Sequence, residues 1–297
     1  MGSPPMPLED NQLTALHARY PLKRAAITGA ASGLGQALAL ELSRHGWGLF
    51  LNDVDETGLI KITKKCQENG STVYSYPFNV SHYSDFSKAV DDFLKQTGGI
   101  DLVFTCAGIG VGGPFLDTKP EHLAEVIDVN LMGTIWAGKL FLPAMTQVKR
   151  GHFITIASAA AYHAMPSLSG YSASKSAVVQ LSETLRSEMK SSGVDITVKM
   201  TTFYTSSIAE HTRGTEEDRE KARSLVQMAP WSSEEVAEAL LLHIQKRKFY
   251  MVAPLQARIL WRFKRLFPEL YLRLMPNLFA KLENKLLATA KERNQRT

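Results

Sequence analysis

Short apolar runs alternate with longer amphipathic stretches along this chain, and that alternation carries the fold prediction. Arg24 to Thr28 reads as a β-prone run, a glycine-rich turn follows, and Leu34 to His45 places apolar residues at helical spacing. Trp47 to Asn52 is the next apolar run and Glu56 to Glu68 the next helical one, which makes a strand–helix–strand unit. Further strands are predicted near Thr72–Phe78, Asp101–Cys106, His152–Ala157, Asp195–Met200 and Phe249–Val252. Further helices are predicted near Tyr83–Gln96, Pro120–Gln147, Tyr171–Ser191 and Ser233–Lys246, the last opened by a capping box of Ser232 and Glu235. Seven strands alternating with helices predict an α/β fold: one doubly wound parallel sheet, covered on both faces, with ligands outside the carboxyl ends of its strands.

Three segments break the rhythm. Thr202 to Met228 is polar and poorly periodic, the pattern of a mobile binding loop or lid, with an ordinary surface insertion as the plainer reading. Residues 1–20 read as a loosely attached arm before a domain spanning 21–253. From 254 to 297 the chain reads as a helical tail, with Ile259, Phe263, Leu266, Leu270 and Leu274 at helical spacing beside Arg258, Arg262, Arg265 and Arg273. Pro268 and Pro276 divide that tail.

Charge changes the picture chiefly at the tail. The formal net charge is +5, yet Lys246 to Thr297 holds 13 Lys/Arg against 3 Asp/Glu, leaving 21 against 26 for residues 1–245. A basic amphipathic tail fits an anionic membrane surface; it equally fits a helix packed on the body or on a second subunit, its charges solvated. The 44% hydrophobic content supports a large core. No apolar run is long enough to span a bilayer, and the N-terminus lacks a signal-peptide pattern. Gly2 alone suggests myristoylation, because Met6 stands where Ser or Thr is needed. Cys66 and Cys106 are the only cysteines and show no metal-binding or disulfide spacing, so a cytoplasmic setting is expected, with no metal and no nucleic-acid partner.

Two stretches carry chemistry. Thr28-Gly29-Ala30-Ala31-Ser32-Gly33-Leu34-Gly35 follows the first strand and opens the first helix, where backbone N–H groups and the helix N-terminus suit a pyrophosphate. Asp53 ends the second strand, eighteen residues after Gly35, placed to accept both hydroxyls of an adenosine ribose and repel a 2′-phosphate, which favours NAD. A helix-capping Asp is the plainer reading, and Asp55 or Asn52 could share the role. The second stretch runs from Ser158 to Lys175 and brings a hydroxyl, a phenol and an ammonium together, with Tyr171 and Lys175 four apart on one helix face. Nearby Tyr162 and His163 read as decoys, His163 as a pocket-wall or surface residue.

The Thr-Gly-x-x-x-Gly-x-Gly turn, Asn130, Ser158 and Tyr171-x-x-x-Lys175, in this order and at these intervals, resemble the short-chain dehydrogenase/reductase family over residues 24 to about 253. The resemblance implies a Rossmann-type fold and a Tyr171 general acid/base. It implies that Lys175 promotes phenolate and binds the nicotinamide ribose, that Ser158 holds the substrate oxygen, and that Asn130 binds a water linking Lys175 to solvent. It further implies Asn79 and Val80 beside the adenine, Ala107 and Gly108 beneath the cofactor, Ser206 at the carboxamide, and a homodimer or homotetramer. Four departures stand out: Asn79 replaces Asp, Thr105-Cys106 replaces Asn-Asn, Thr201-Thr202 replaces Pro-Gly, and Ser206 replaces Thr.

The loops expected to line the pocket carry Ile109, Val111, Phe115, Met165, Leu168, Phe203 and Tyr204 without a basic cluster. The expected activity is thus NAD-dependent interconversion of a lipophilic secondary alcohol and its ketone, of steroid, retinoid or fatty type. Competing expectations are an NADP-dependent carbonyl or ketoacyl reductase, a catalytically idle NAD(H)-binding sensor or scaffold, and a membrane-surface interaction protein. A peripheral position at a membrane is the second expectation for its location.

Overall fold

Residues buried on both faces of a parallel sheet are apolar almost without interruption, and the strands of this chain follow that rule. The computed structural model describes residues 7–275 and 278–279. Its first half comprises α1 (Thr14–Arg19), β1 (Arg24–Thr28), α2 (Gly33–Arg44), β2 (Gly48–Asp53), α3 (Glu56–Glu68), β3 (Val73–Pro77), α4 (Tyr83–Thr97), β4 (Leu102–Thr105), β5 (Gly110–Val111), α5 (Pro120–Ile127) and α6 (Gly133–Gln147). There follow β6 (Gly151–Ile156), α7 (Ser169–Glu188), β7 (Val194–Thr201), β8 (Thr212–Arg213), α8 (Glu216–Gln227), α9 (Ser233–Ile244), β9 (Tyr250–Ala253) and α10 (Leu255–Leu266).

All seven expected strands form and join in one parallel sheet of order β3-β2-β1-β4-β6-β7-β9. One face buries Leu38, Leu42, Leu240 and Ile244 of α2 and α9. The other buries Phe86, Phe93, Phe141 and Val178 of α4, α6 and α7, with Phe50 edge-on to Phe93 and Phe141. Strand order reverses between β1 and β4, the switch point where such a sheet opens a crevice. Register aligns Thr28 with Thr105 and Thr105 with Thr155, so the loops leaving β1, β4 and β6 stand side by side at one edge.

Three expectations need correction. The chain from Leu8 to Tyr20 is no loose arm: Leu8, Leu13, Leu16 and Tyr20 are buried, and the Tyr20 hydroxyl lies 3.2 Å from His152 Nδ1. Residues 1–6 lie outside the described residues. The 202–228 stretch is no unstructured connection either, since β8 pairs with β5 in a small second sheet and α8 fills the rest. Its helix escaped notice because it is almost wholly polar, set by a Thr215/Asp218 capping box and Arg223 pairs to Glu210, Glu216 and Glu220. The expected Pro120–Gln147 helix is interrupted by a π-helical turn at Asp128–Met132. Of the readings open for the tail, packing on the body holds in part, with Ala257 and Tyr271 buried and the Trp261 ring tilted against Tyr250. Residues 268–275 are helical; the rest of the expected tail, Pro276 included, lies outside the described residues except 278–279.

Candidate active site

Local geometry fits the β1–α2 turn to a phosphate group. A Cβ on Gly35 would lie 2.1 Å from the Gly29 carbonyl oxygen, so only glycine lets the helix pack this close to the strand. Gly33 adopts φ +52°, the left-handed region, which turns the chain into α2. The first turn of α2 carries no acidic side chain, leaving its amide dipoles uncompensated. Leu34 is buried behind the turn, and the Ser32 hydroxyl accepts from Ser207 Oγ at 2.6 Å.

Asp53 faces that turn from the end of β2. Its Oδ2 accepts from Ala31 N at 2.9 Å and its Oδ1 from Asp55 N at 3.0 Å. The neighbouring contenders are committed elsewhere: Asn52 donates to the Tyr76 and Phe78 carbonyls, and Asp55 caps α3 through Gly58 N. Beyond β3, Asn79 Oδ1 accepts from Ser81 N, while Val80 is buried against Gly133.

At the carboxyl ends of β4 and β6 the remaining residues converge. Ala107 N donates to Thr28 Oγ1 at 3.2 Å, and a Cβ on Gly108 would stand 3.1 Å from Asn130 Oδ1 and 3.4 Å from Lys175 Nζ. Asn130 is fully buried in the π turn, where its Oδ1 accepts from Ile109 N and its Nδ2 donates to Ile109 O and Ser174 Oγ. Its side-chain amide thereby ties Ile109 to α7. π turns interrupt helices at functional sites often, because they free and redirect a few groups in the ladder.

Tyr171 and Lys175 share one face of α7, with Lys175 Nζ 5.8 Å from the phenol ring centre. Lys175 Nζ donates to the Ile156 carbonyl at 3.0 Å, and burial pulls its ammonium down to about 8. Burial raises the Tyr171 phenol, and the Ser158 hydroxyl beside it pulls the other way. Ser158 opens a 3₁₀ turn, its Oγ accepting from Ala160 N at 3.1 Å. A phenol, a hydroxyl and an ammonium at the mouth of the crevice can exchange a proton with an oxygen held between them.

Residues 23–217 match the short chain dehydrogenase family. The chain belongs to the short-chain dehydrogenase/reductase family. Among its relatives are human epidermal retinol dehydrogenase 2, 35% identical over 58% of this chain and 57% of that protein, and rat 17-beta-hydroxysteroid dehydrogenase 13, 32% identical over 56% of each. The matched region thus spans little more than half the length of these curated relatives. A short-chain dehydrogenase/reductase from Burkholderia phymatum, solved in complex with NAD, superposes with a TM-score of 0.79 at 28% identity, covering 83% of this chain and 94% of that one.

The fold of this family binds a nicotinamide cofactor, and the Gly29–Gly35 turn, Asp53 and the Gly108 approach fit such a group. Ser206 sits against Gly33, with its Cβ 3.5 Å from where a Gly33 Cβ would stand, so the segment after β7 folds over the cofactor turn. Val111 is buried under Gly170 and Tyr204 packs partly into the core, whereas Phe115 and Phe203 are exposed.

Lys199 went unnoticed in the sequence. It is buried on β7, donates to Thr201 Oγ1 at 2.7 Å, and lies 4.2 Å over the Tyr204 ring. Burial brings its ammonium down to about 7, while the Cys106 thiol is pushed up to about 12. A lysine between Val198 and Met200, in the apolar part of β7, was the available signal. His163, expected at a pocket wall or surface, is buried, and its Nδ1 pairs with the Tyr271 hydroxyl at 2.6 Å.

Proposed function

We propose that this protein is an NAD-dependent oxidoreductase that interconverts a lipophilic secondary alcohol and its ketone. The observation that carries the reading is the convergence of Tyr171, Lys175 and Ser158 at the crevice beside Gly108. A bound nicotinamide supplies the hydride exchange. Tyr171 takes the hydroxyl proton of the alcohol and returns it to the ketone in reduction. Ser158 holds the substrate oxygen near the phenol, and Lys175 keeps positive charge beneath the ring at neutral pH. Asn130 is a positioning residue that fixes the Ala107–Ile109 segment. The steroid and retinol dehydrogenase relatives, with Met165, Leu168 and Phe203 on loops expected to line the pocket, support a lipophilic substrate.

The Asp53 carboxylate beside Ala31 supports NAD over NADP, because it would repel a 2′-phosphate and no Arg or Lys stands at position 32 or 54. Steady-state kinetics across a panel of lipophilic secondary alcohols, with each cofactor, tests this. The expected result is turnover with NAD favoured. Asp53→Ala should then shift the NAD/NADP ratio of kcat/KM by about tenfold, equivalent to about 1.4 kcal/mol. A native preference for NADP would refute the cofactor assignment.

The tail supports a second element of the proposal, a peripheral position on an anionic membrane. Leu255, Ile259, Leu266, Phe267, Leu270 and Leu274 are exposed on a strongly basic segment. No helix among the described residues is long and apolar enough to cross a membrane. Homo-oligomerisation through the α5–α6 and α7 faces completes the proposal.

A further inference from the structure

We propose that Asp10, His17 and His45 form a structural site for a first-row divalent metal ion, Zn²⁺ by ligand type, which fastens the N-terminal segment to the body. One donor atom from each of these residues lies within 4.8 Å of the others. They border a cleft of about 520 Å³ that Asn11, Thr14 and Lys23 also line. The cleft is remote from the crevice: α2 leaves the carboxyl end of β1, so His45, just beyond its far end, marks the edge where the strands begin. The inference is therefore independent of the oxidoreductase reading.

The donor set has an outer layer of support. His45 Nε2 lies 3.2 Å from Glu41 Oε1, and its Nδ1 lies 2.6 Å from Asp10 Oδ1. Glu41 is itself fixed, accepting from Leu8 N at 2.8 Å and pairing with Arg44 at 2.7 Å. A histidine that gives one ring N–H to a buried carboxylate presents its other nitrogen to a metal, the arrangement that tunes and orients metal-bound imidazoles. In the metal-free form Nδ1 holds Asp10 Oδ1 through that 2.6 Å hydrogen bond, which an ion would replace with two coordinate bonds.

His17 contributes the third donor. Its Nε2 is buried with no hydrogen-bond partner, a cost that a coordinate bond removes. Two imidazoles and one carboxylate, with water in a fourth position, suit Zn²⁺. Lys23 and Arg44 oppose the ion, Asp10 and Glu41 favour it, and binding draws His17 inward while Asp10 and His45, 2.6 Å apart, separate to admit it. Asp10 is exposed and His17 rides on a helix of six residues, so both can move.

The test uses the untagged full-length chain, stripped with a chelator and titrated with Zn²⁺ against a chromophoric chelator. One Zn²⁺ per chain is expected, together with a rise in melting temperature. Asp10→Asn and His17→Gln should each weaken binding by at least about tenfold and remove the thermal shift. Asp10 is exposed, so that variant keeps its fold, which circular dichroism checks. No binding by the wild-type chain, or undiminished binding by both variants, overturns the proposal.

Discussion

Among the side chains of the crevice, the difference between those legible in the sequence and those that were not is a difference of partners. Tyr171 and Lys175 were legible because their spacing on α7 alone puts them on one face. Lys199 was not, because its meaning depends on the Thr201 hydroxyl, the Tyr204 ring and a burial that the whole sheet creates. Its titration gives a prediction at this scale. Burial holds the folded-state pKa at about 7, whereas an unfolded lysine titrates near about 10.4. Below about pH 7 both states are charged, and the folded state bears the full cost of burying the ammonium. Between about pH 7 and about pH 10 the unfolded chain binds more protons, so the Lys199 contribution to stability improves as pH rises. Lys199→Met should accordingly stabilise the protein more at about pH 7 than at about pH 9.5, read by urea unfolding. An equal difference at both pH values would contradict this.

The same contrast holds among the elements. Seven strands were readable because β4 and β6 are buried along their whole length and are largely apolar, with His152 and Thr155 the exceptions in β6. Helix α8 was not, since ion pairs and caps set it where hydrophobic periodicity is absent. The π turn was invisible for another reason: its register is a property of hydrogen bonds, and Asp128–Met132 keeps the apolar spacing of the flanking helices. Asn130 in that turn joins three segments through Ile109 and Ser174. Asn130→Ala strands those groups at about 1–3 kcal/mol for each one left unpaired. Thermal unfolding should therefore show a clear loss of stability, and kcat should fall more than KM rises because the Ala107–Ile109 segment loses its anchor. A variant with native melting temperature and kcat would remove Asn130 from the positioning role.

At the scale of the molecule, the body and the basic tail meet at the loop after β6. Tyr271 bonds His163, five residues after Ser158, and Phe279 packs on the same imidazole. A lipophilic substrate would thus reach the crevice beside the segment proposed to lie on a membrane. Removing the whole tail also removes the buried Ala257 and Tyr271, so exposed positions make the cleaner test. Leu266→Ser, Phe267→Ser and Leu270→Ser combined should abolish co-sedimentation with phosphatidylserine-containing vesicles while leaving the fold intact; unchanged co-sedimentation would exclude this face. Whether the molecule is an enzyme or an idle dinucleotide sensor turns on the assembled crevice, and one variant separates them. In Tyr171→Phe the cofactor turn is untouched, so NADH affinity should stay native while turnover falls by about 10²–10⁴-fold, the usual contribution of a positioned acid/base. Turnover within a few-fold of the wild type, with the same NADH affinity, would contradict the account.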